Sequence, residues 1–145
     1  MTLKEKCNIQ KHICDGGVFY EFPTETFGIG ILVFNIYSDY QQVLHSDILN
    51  HNEFSNESVI AEITDFYPNG LTKVYGYDII KKNCGRGYAS RLLDEMIYDC
   101  IENKAEILYA KTNQVLMRDF LKHKDFTQIP VFDGQNTHHY KILKD

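Results

Sequence analysis

The sharpest periodicity in the chain runs from Tyr88 to Glu102. There Leu92, Leu93, Met96, Ile97, Cys100 and Ile101 recur near every 3.6 residues and predict an amphipathic helix. A shorter stripe, Leu116, Met117, Phe120 and Leu121, predicts a second helix over Gln114–His123. Ile107–Lys111 between them reads as a short strand, and Phe126–Phe132 and His138–Leu143 as closing strands around a turn with Asp133-Gly134. In the first half, β-branched and aromatic runs predict strands at Val18–Phe22 and Gly28–Tyr37, separated by a Pro23-Thr24-Glu25-Thr26 turn. Ser38 and Gln41 fit a capping box for a helix carrying Tyr40, Val43, Leu44 and Ile48, which ends in the polar stretch His51–Asn56. Ser58–Phe66 and Leu71–Ile80 predict a hairpin through Pro68-Asn69-Gly70. This order implies a mixed α/β or α+β fold, as one domain over residues 1–145.

Composition narrows the function classes. A length of 145 residues with 43% hydrophobic and 24% charged residues can bury a core unaided. The net charge of −5 comes without a lysine or arginine cluster, which argues against a nucleic-acid groove. Neither a membrane-spanning apolar run nor a signal-like start after Met1-Thr2-Leu3-Lys4-Glu5-Lys6 is seen, so the expected address is cytoplasmic. Cys7, Cys14, Cys84 and Cys100 lack paired metal spacing and are expected as reduced thiols. His138 and His139 are consecutive on a strand, so they point to opposite faces and do not jointly grip a metal.

The candidate chemistry lies in Lys81-Lys82-Asn83-Cys84-Gly85-Arg86-Gly87-Tyr88-Ala89-Ser90, between a predicted strand and the long helix. Gly85 and Gly87 allow close backbone approach and positive φ. The helix start presents unpaired N–H groups and a partial positive charge, a cradle for phosphate that needs no catalytic side chain. Lys81, Lys82 and Arg86 add charge. A plain strand-to-helix turn would use glycine in the same way. A dinucleotide fold, loosely imitated by Gly85-x-Gly87-x-x-Ser90, would need an acidic residue where the next strand ends in Lys111-Thr112-Asn113. The preceding hairpin also argues against a parallel βαβ unit.

Cys84-Gly85-Arg86-Gly87-Tyr88-Ala89-Ser90-Arg91-Leu92-Leu93 resembles the acyl-CoA motif of the GNAT N-acetyltransferase superfamily, and Asn113 followed by a helix and Lys124-Asp125-Phe126 is similar to that family's downstream pattern. The resemblance implies a mixed, mostly antiparallel sheet flanked by helices, with a shortened helical region after the first strands. Acetyl-CoA is the implied cosubstrate, with no metal. The amides of Gly85, Arg86, Gly87, Tyr88, Ala89 and Ser90 would hold its pyrophosphate, Ile79, Ile80 and Lys81 would pair with the pantetheine arm, and Asn113 would reach the cofactor. Three departures stand out: Cys84 stands where the motif has Gln or Arg, Leu121 replaces a tyrosine that protonates the leaving thiolate, and Asp125 replaces a glycine.

Acetylating an amine requires removing a proton that costs a lysine-like group roughly 4–5 kcal/mol at neutral pH. Asp78 and Glu62 are the candidate bases, with Asp65 and Glu57 behind them. Tyr77, Tyr109 and Tyr140 are available as acids. The expected activity is acetyl transfer to a primary amine of a small molecule or protein. The alternative is a catalytically weak GNAT-like acyl-CoA-binding or interaction module. The candidate partners are the amine acceptor and, in a homodimer, a second copy of the chain; neither nucleic acid nor membrane is expected.

Overall fold

In the computed structural model, residues 9–22, 28–36, 59–70, 87–130 and 134–143 are described. Among them the elements run β1 (Gln10–Cys14), β2 (Gly17–Glu21), β3 (Ile29–Ile36), β4 (Val59–Tyr67), α1 (Tyr88–Glu102), β5 (Ile107–Thr112), α2 (Val115–His123), β6 (Thr127–Gln128) and β7 (Thr137–Ile142). The sheet order is β1-β2-β3-β4-β5-β7-β6. β4 pairs with β5 in parallel, whereas β1–β2, β2–β3, β5–β7 and β6–β7 are antiparallel. The sheet is thus mixed and mostly antiparallel, an α+β architecture. The chain divides into two compact units, Met1–Val33 with Thr64–Asp99, and Phe34–Ile63 with Cys100–Asp145.

In the first unit, β1 and β2 form a hairpin whose two-residue turn is Asp15-Gly16, with Gly16 at φ 77. β1 escaped the sequence reading because QKHIC has no apolar face; all of its residues except Lys11 are exposed. α1 covers this unit with Leu92, Leu93 and Met96, each buried, and burial of such side chains stabilises by about 1.5–3 kcal/mol apiece. β3 receives Leu92 and Met96 at Gly30, where a Cβ would lie 2.7 Å from Met96 Cε and 2.9 Å from Leu92 Cδ2. The helix is pinned from the far end of the sequence as well. Tyr20 Oη donates to Asp99 Oδ2 at 2.6 Å, and Lys11 Nζ lies 2.6 Å from Glu95 Oε2 and 3.3 Å from Asp99 Oδ2. Arg91 Nη1 reaches the other Glu95 oxygen at 2.7 Å.

The second unit is built around β5, whose Ile107, Leu108, Tyr109 and Ala110 are all buried. Its register runs Ile60↔Ile107 to Ile63↔Ala110 with β4, and Ile107↔Ile142 to Thr112↔Thr137 with β7. The strand predicted over Ser58–Phe66 is found as β4, and it runs parallel to β5. Its proposed hairpin mate, Leu71–Ile80, lies outside the described residues, as do the predicted 38–48 helix and the Pro23–Thr26 turn. Of the closing strand expected over Phe126–Phe132, the described residues pair at Thr127–Gln128, with Ile129 N–H bonded to His138 O at 2.8 Å.

Both helices end in the same way, without glycine. In α1 the Ala105 N–H donates to Cys100 O and Lys104 N–H to Ile101 O, with Lys104 at φ 60. In α2 the Phe126 N–H donates to Leu121 O and Asp125 N–H to Lys122 O, with Asp125 at φ 67. These are Schellman closures, each with a left-handed residue and a buried contact pair, Cys100–Ala105 and Leu121–Phe126. Two stripe positions are corrected. Ile101 is 58% and Leu116 81% exposed, because each lies at the margin of its helix's apolar arc.

Candidate functional site

The glycine loop's described part begins at Gly87, which adopts φ 83 directly before α1. That left-handed backbone is open to glycine at little cost, and it turns the chain into the helix. The first helical bond is Arg91 N–H to Gly87 O at 3.0 Å, which makes Gly87 the N-cap residue. The amides of Tyr88, Ala89 and Ser90 are therefore the first-turn donors that a helix cannot satisfy internally. Tyr88 can offer a ligand its amide only. Its ring is buried against Phe22, with centroids 5.6 Å apart. Gly85, Arg86, Ile79, Ile80, Lys81 and the candidate base Asp78 lie outside the described residues, as do Tyr77, Glu57 and Cys84.

Glu62 lies in the second unit, half-buried on β4. Burial pushes its carboxyl above the ordinary range, and the Lys111 charge offsets this only in part. A carboxylate disfavoured in this way takes up a proton more readily than an ordinary one, a property that suits a general base. Asp65 is also half-buried and accepts from Thr64 Oγ1 at 3.3 Å. Asn113 is exposed in the β5–α2 connection, where its Oδ1 accepts from Gln114 Nε2 at 3.1 Å and Gln114 N–H donates to Thr112 Oγ1 at 3.0 Å.

Leu121 is fully buried, closing α2 against Phe126. It serves packing, and no hydroxyl stands there. Asp125 sits at a left-handed φ, which glycine adopts freely and aspartate tolerates better than most residues.

Sequence reasoning set the tandem histidines aside, but both are buried. They do face opposite ways. On one face His138 Nδ1 lies 2.5 Å from Tyr109 Oη. On the other, His139 Nε2 lies 2.8 Å from Thr137 Oγ1, whose own O–H donates to Thr112 O at 3.3 Å. Thr137 thus accepts from His139 Nε2–H, and Nδ1 is left as a buried acceptor with no partner among the described residues. Burial, then the His138 and Arg118 charges, hold the His139 imidazole below its ordinary value. The β5–β7 register could have revealed the Tyr109–His138 pair, but that register was not readable from spacing. No group of three or more metal-ligating side chains occurs among the described residues. No described helix is long and apolar enough to cross a membrane.

No family model and no curated protein matches the sequence. Among solved structures, the chain is similar to FeeM, an N-acyl amino acid synthase from uncultured soil microbes. The TM-score is 0.57 at 13% identity, over 90% of this chain and 71% of that one. A candidate acetyltransferase of Staphylococcus aureus Mu50 aligns with TM-score 0.46 and 18% identity, over 87% of this chain and 72% of that one. A Pyrococcus horikoshii OT3 protein aligns with TM-score 0.48 and 15% identity, over 88% and 65%. The likeness to FeeM shows a shared fold.

Proposed function

We propose that this chain is an acyl-CoA-dependent N-acyltransferase that moves an acetyl group from acetyl-CoA to a primary amine. The observation that carries this reading is the left-handed Gly87 opening α1, on a fold shared with an N-acyl amino acid synthase. Amides from Gly85 to Ser90 hold the pyrophosphate, and each charge-assisted hydrogen bond contributes roughly 1.5–3 kcal/mol. Asn113 contacts the cofactor, and Ile79, Ile80 and Lys81 align its pantetheine arm. Glu62 or Asp78 takes the proton from the amine. Amino acids are the first acceptor class to try, because FeeM is an N-acyl amino acid synthase.

The test combines binding with turnover. Acetyl-CoA and CoA raise the melting temperature, and thiol appears only when a reactive amine is present. Gly87→Asp places a negative charge and a strained φ at the cradle, and weakens that binding by at least roughly 100-fold, about 2.7 kcal/mol. Equal stabilisation of this variant and the parent by CoA would remove the cradle from the account.

A second reading, a binding or interaction module without turnover, draws on buried Leu121, which offers no proton where the resemblance places a tyrosine. It predicts stabilisation by CoA with no thiol release across amino acids, polyamines and lysine peptides.

A further inference from the structure

Glu62 stands opposite Tyr109 in the parallel β4–β5 register. Partners in register project from the same face of a sheet, on strands roughly 5 Å apart. The antiparallel register Tyr109↔Tyr140 and Lys111↔His138 puts His138 on that same face. Tyr109 Oη and His138 Nδ1 are 2.5 Å apart, and their rings stack with centroids at 5.9 Å and planes 18° apart. A carboxylate, a phenol and an imidazole are thus gathered on neighbouring strands, with Tyr109 and His138 buried and Glu62 half-buried.

We infer that these three residues form the acid–base set of the transfer, with Tyr109 the catalytic residue that protonates the departing thiolate. The inference rests on the acyl-CoA reading above and supplies the acid that Leu121 cannot. With a neutral amine as nucleophile, the nitrogen forms its bond to the acyl carbon and gives one proton to the Glu62 carboxylate. The carbon–sulfur bond breaks with its electron pair on sulfur, and sulfur takes the Tyr109 hydroxyl proton. The proton held by Glu62 then returns to the Tyr109 phenolate, directly or through solvent, and both groups are reset. His138 is a positioning residue. Its Nδ1–H donates to Tyr109 Oη, fixing the ring and stabilising the phenolate while the proton is away. Burial, which holds Glu62 ready to accept a proton, acts in the same direction.

Free CoA is the probe, because its thiol reports the acid without any acceptor. The ultraviolet absorbance of the thiolate is followed against pH for CoA bound to the parent and to Tyr109→Phe. The parent should lower the thiol's titration point, and Tyr109→Phe should return it by about one pH unit, a tenfold change in the equilibrium. Thermal stabilisation by CoA should be the same in both. His138→Asn, which keeps an N–H donor near the place of Nδ1, should retain most of the lowering, and His138→Leu should lose it. Should Tyr109→Phe fail to fold, the nitrogen resonances of His138 in the parent decide instead: a protonated Nδ1 supports the assignment and a bare Nδ1 overturns it. CoA that stabilises both proteins but titrates identically in them would defeat the acid and leave cofactor binding standing. CoA that stabilises neither would defeat the acyl-CoA reading itself.

Discussion

Glu95 and Glu62 are both partly buried carboxylates on regular elements, and their surroundings are opposite. Around Glu95, burial alone would raise the carboxyl, but Lys11 and Arg91 outweigh it and hold it below the ordinary range. Lys11 answers in kind: burial would lower its ammonium, yet Glu95 and Asp99 hold it above its ordinary value. Around Glu62 the burial effect prevails over a single cation, Lys111. Neutralised charge makes a fastening that does no chemistry, while the disfavoured charge is ready to change its proton. The first region ties β1 to α1, and the second is where reactivity should be sought.

The strongest way to break this contrast is Asp99→Ala. It removes the carboxylate that accepts from the fully buried Tyr20 and one of the two described acidic partners of Lys11. A loss of about 2–4 kcal/mol is expected by denaturant titration, and a loss under a few tenths would show that the fastening is ornamental. Gly30→Ala presses a methyl group against Met96 and Leu92, whose ends are flexible, and should cost about 1–3 kcal/mol. Lys104→Gly and Asp125→Gly each relieve a left-handed φ and should gain about 0.5–1 kcal/mol, read as a raised midpoint. Glu62→Gln, which removes a disfavoured charge, should stabilise by only a few tenths of a kcal/mol after solvent screening. With the folded carboxyl raised, the penalty exists above its folded pKa and vanishes below the unfolded value near 4.3, so the gain should disappear in acid. The lowered Glu95 has the reverse sign. Its contribution is present above the unfolded value and is lost as pH falls through the folded one.

Much of the fold was legible because several elements announce themselves locally. α1 has the bounds that its periodicity gives, since an apolar stripe begins directly after a glycine that can turn the chain. What stayed hidden depends on distant partners. Asp99 reads as a solvated acid on a helix, and its partner Lys11 lies 88 positions away. Both helix ends use lysine or aspartate where spacing rules look for glycine, so only periodicity marked their stops. Of the glycine loop, Gly87 and its helix were readable as a motif. Tyr109 with His138 was not, because only the pairing of β5 with β7 brings them together.

The back-to-back histidines of β7 have a consequence for how that strand finds its place. Each ring has its own anchor on its own side, Tyr109 for one and Thr137 with Thr112 for the other. A strand displaced by a single step would swap the two sides, parting His138 from Tyr109 and Thr137 from Thr112, so misthreaded intermediates gain nothing from lingering. Acid should undo this proofreading. Because the folded chain holds His139 below its ordinary value, protons prefer the unfolded chain once pH falls under about 6.5. Hydrogen exchange should then quicken along β7 before it quickens along the hairpin of β1 and β2.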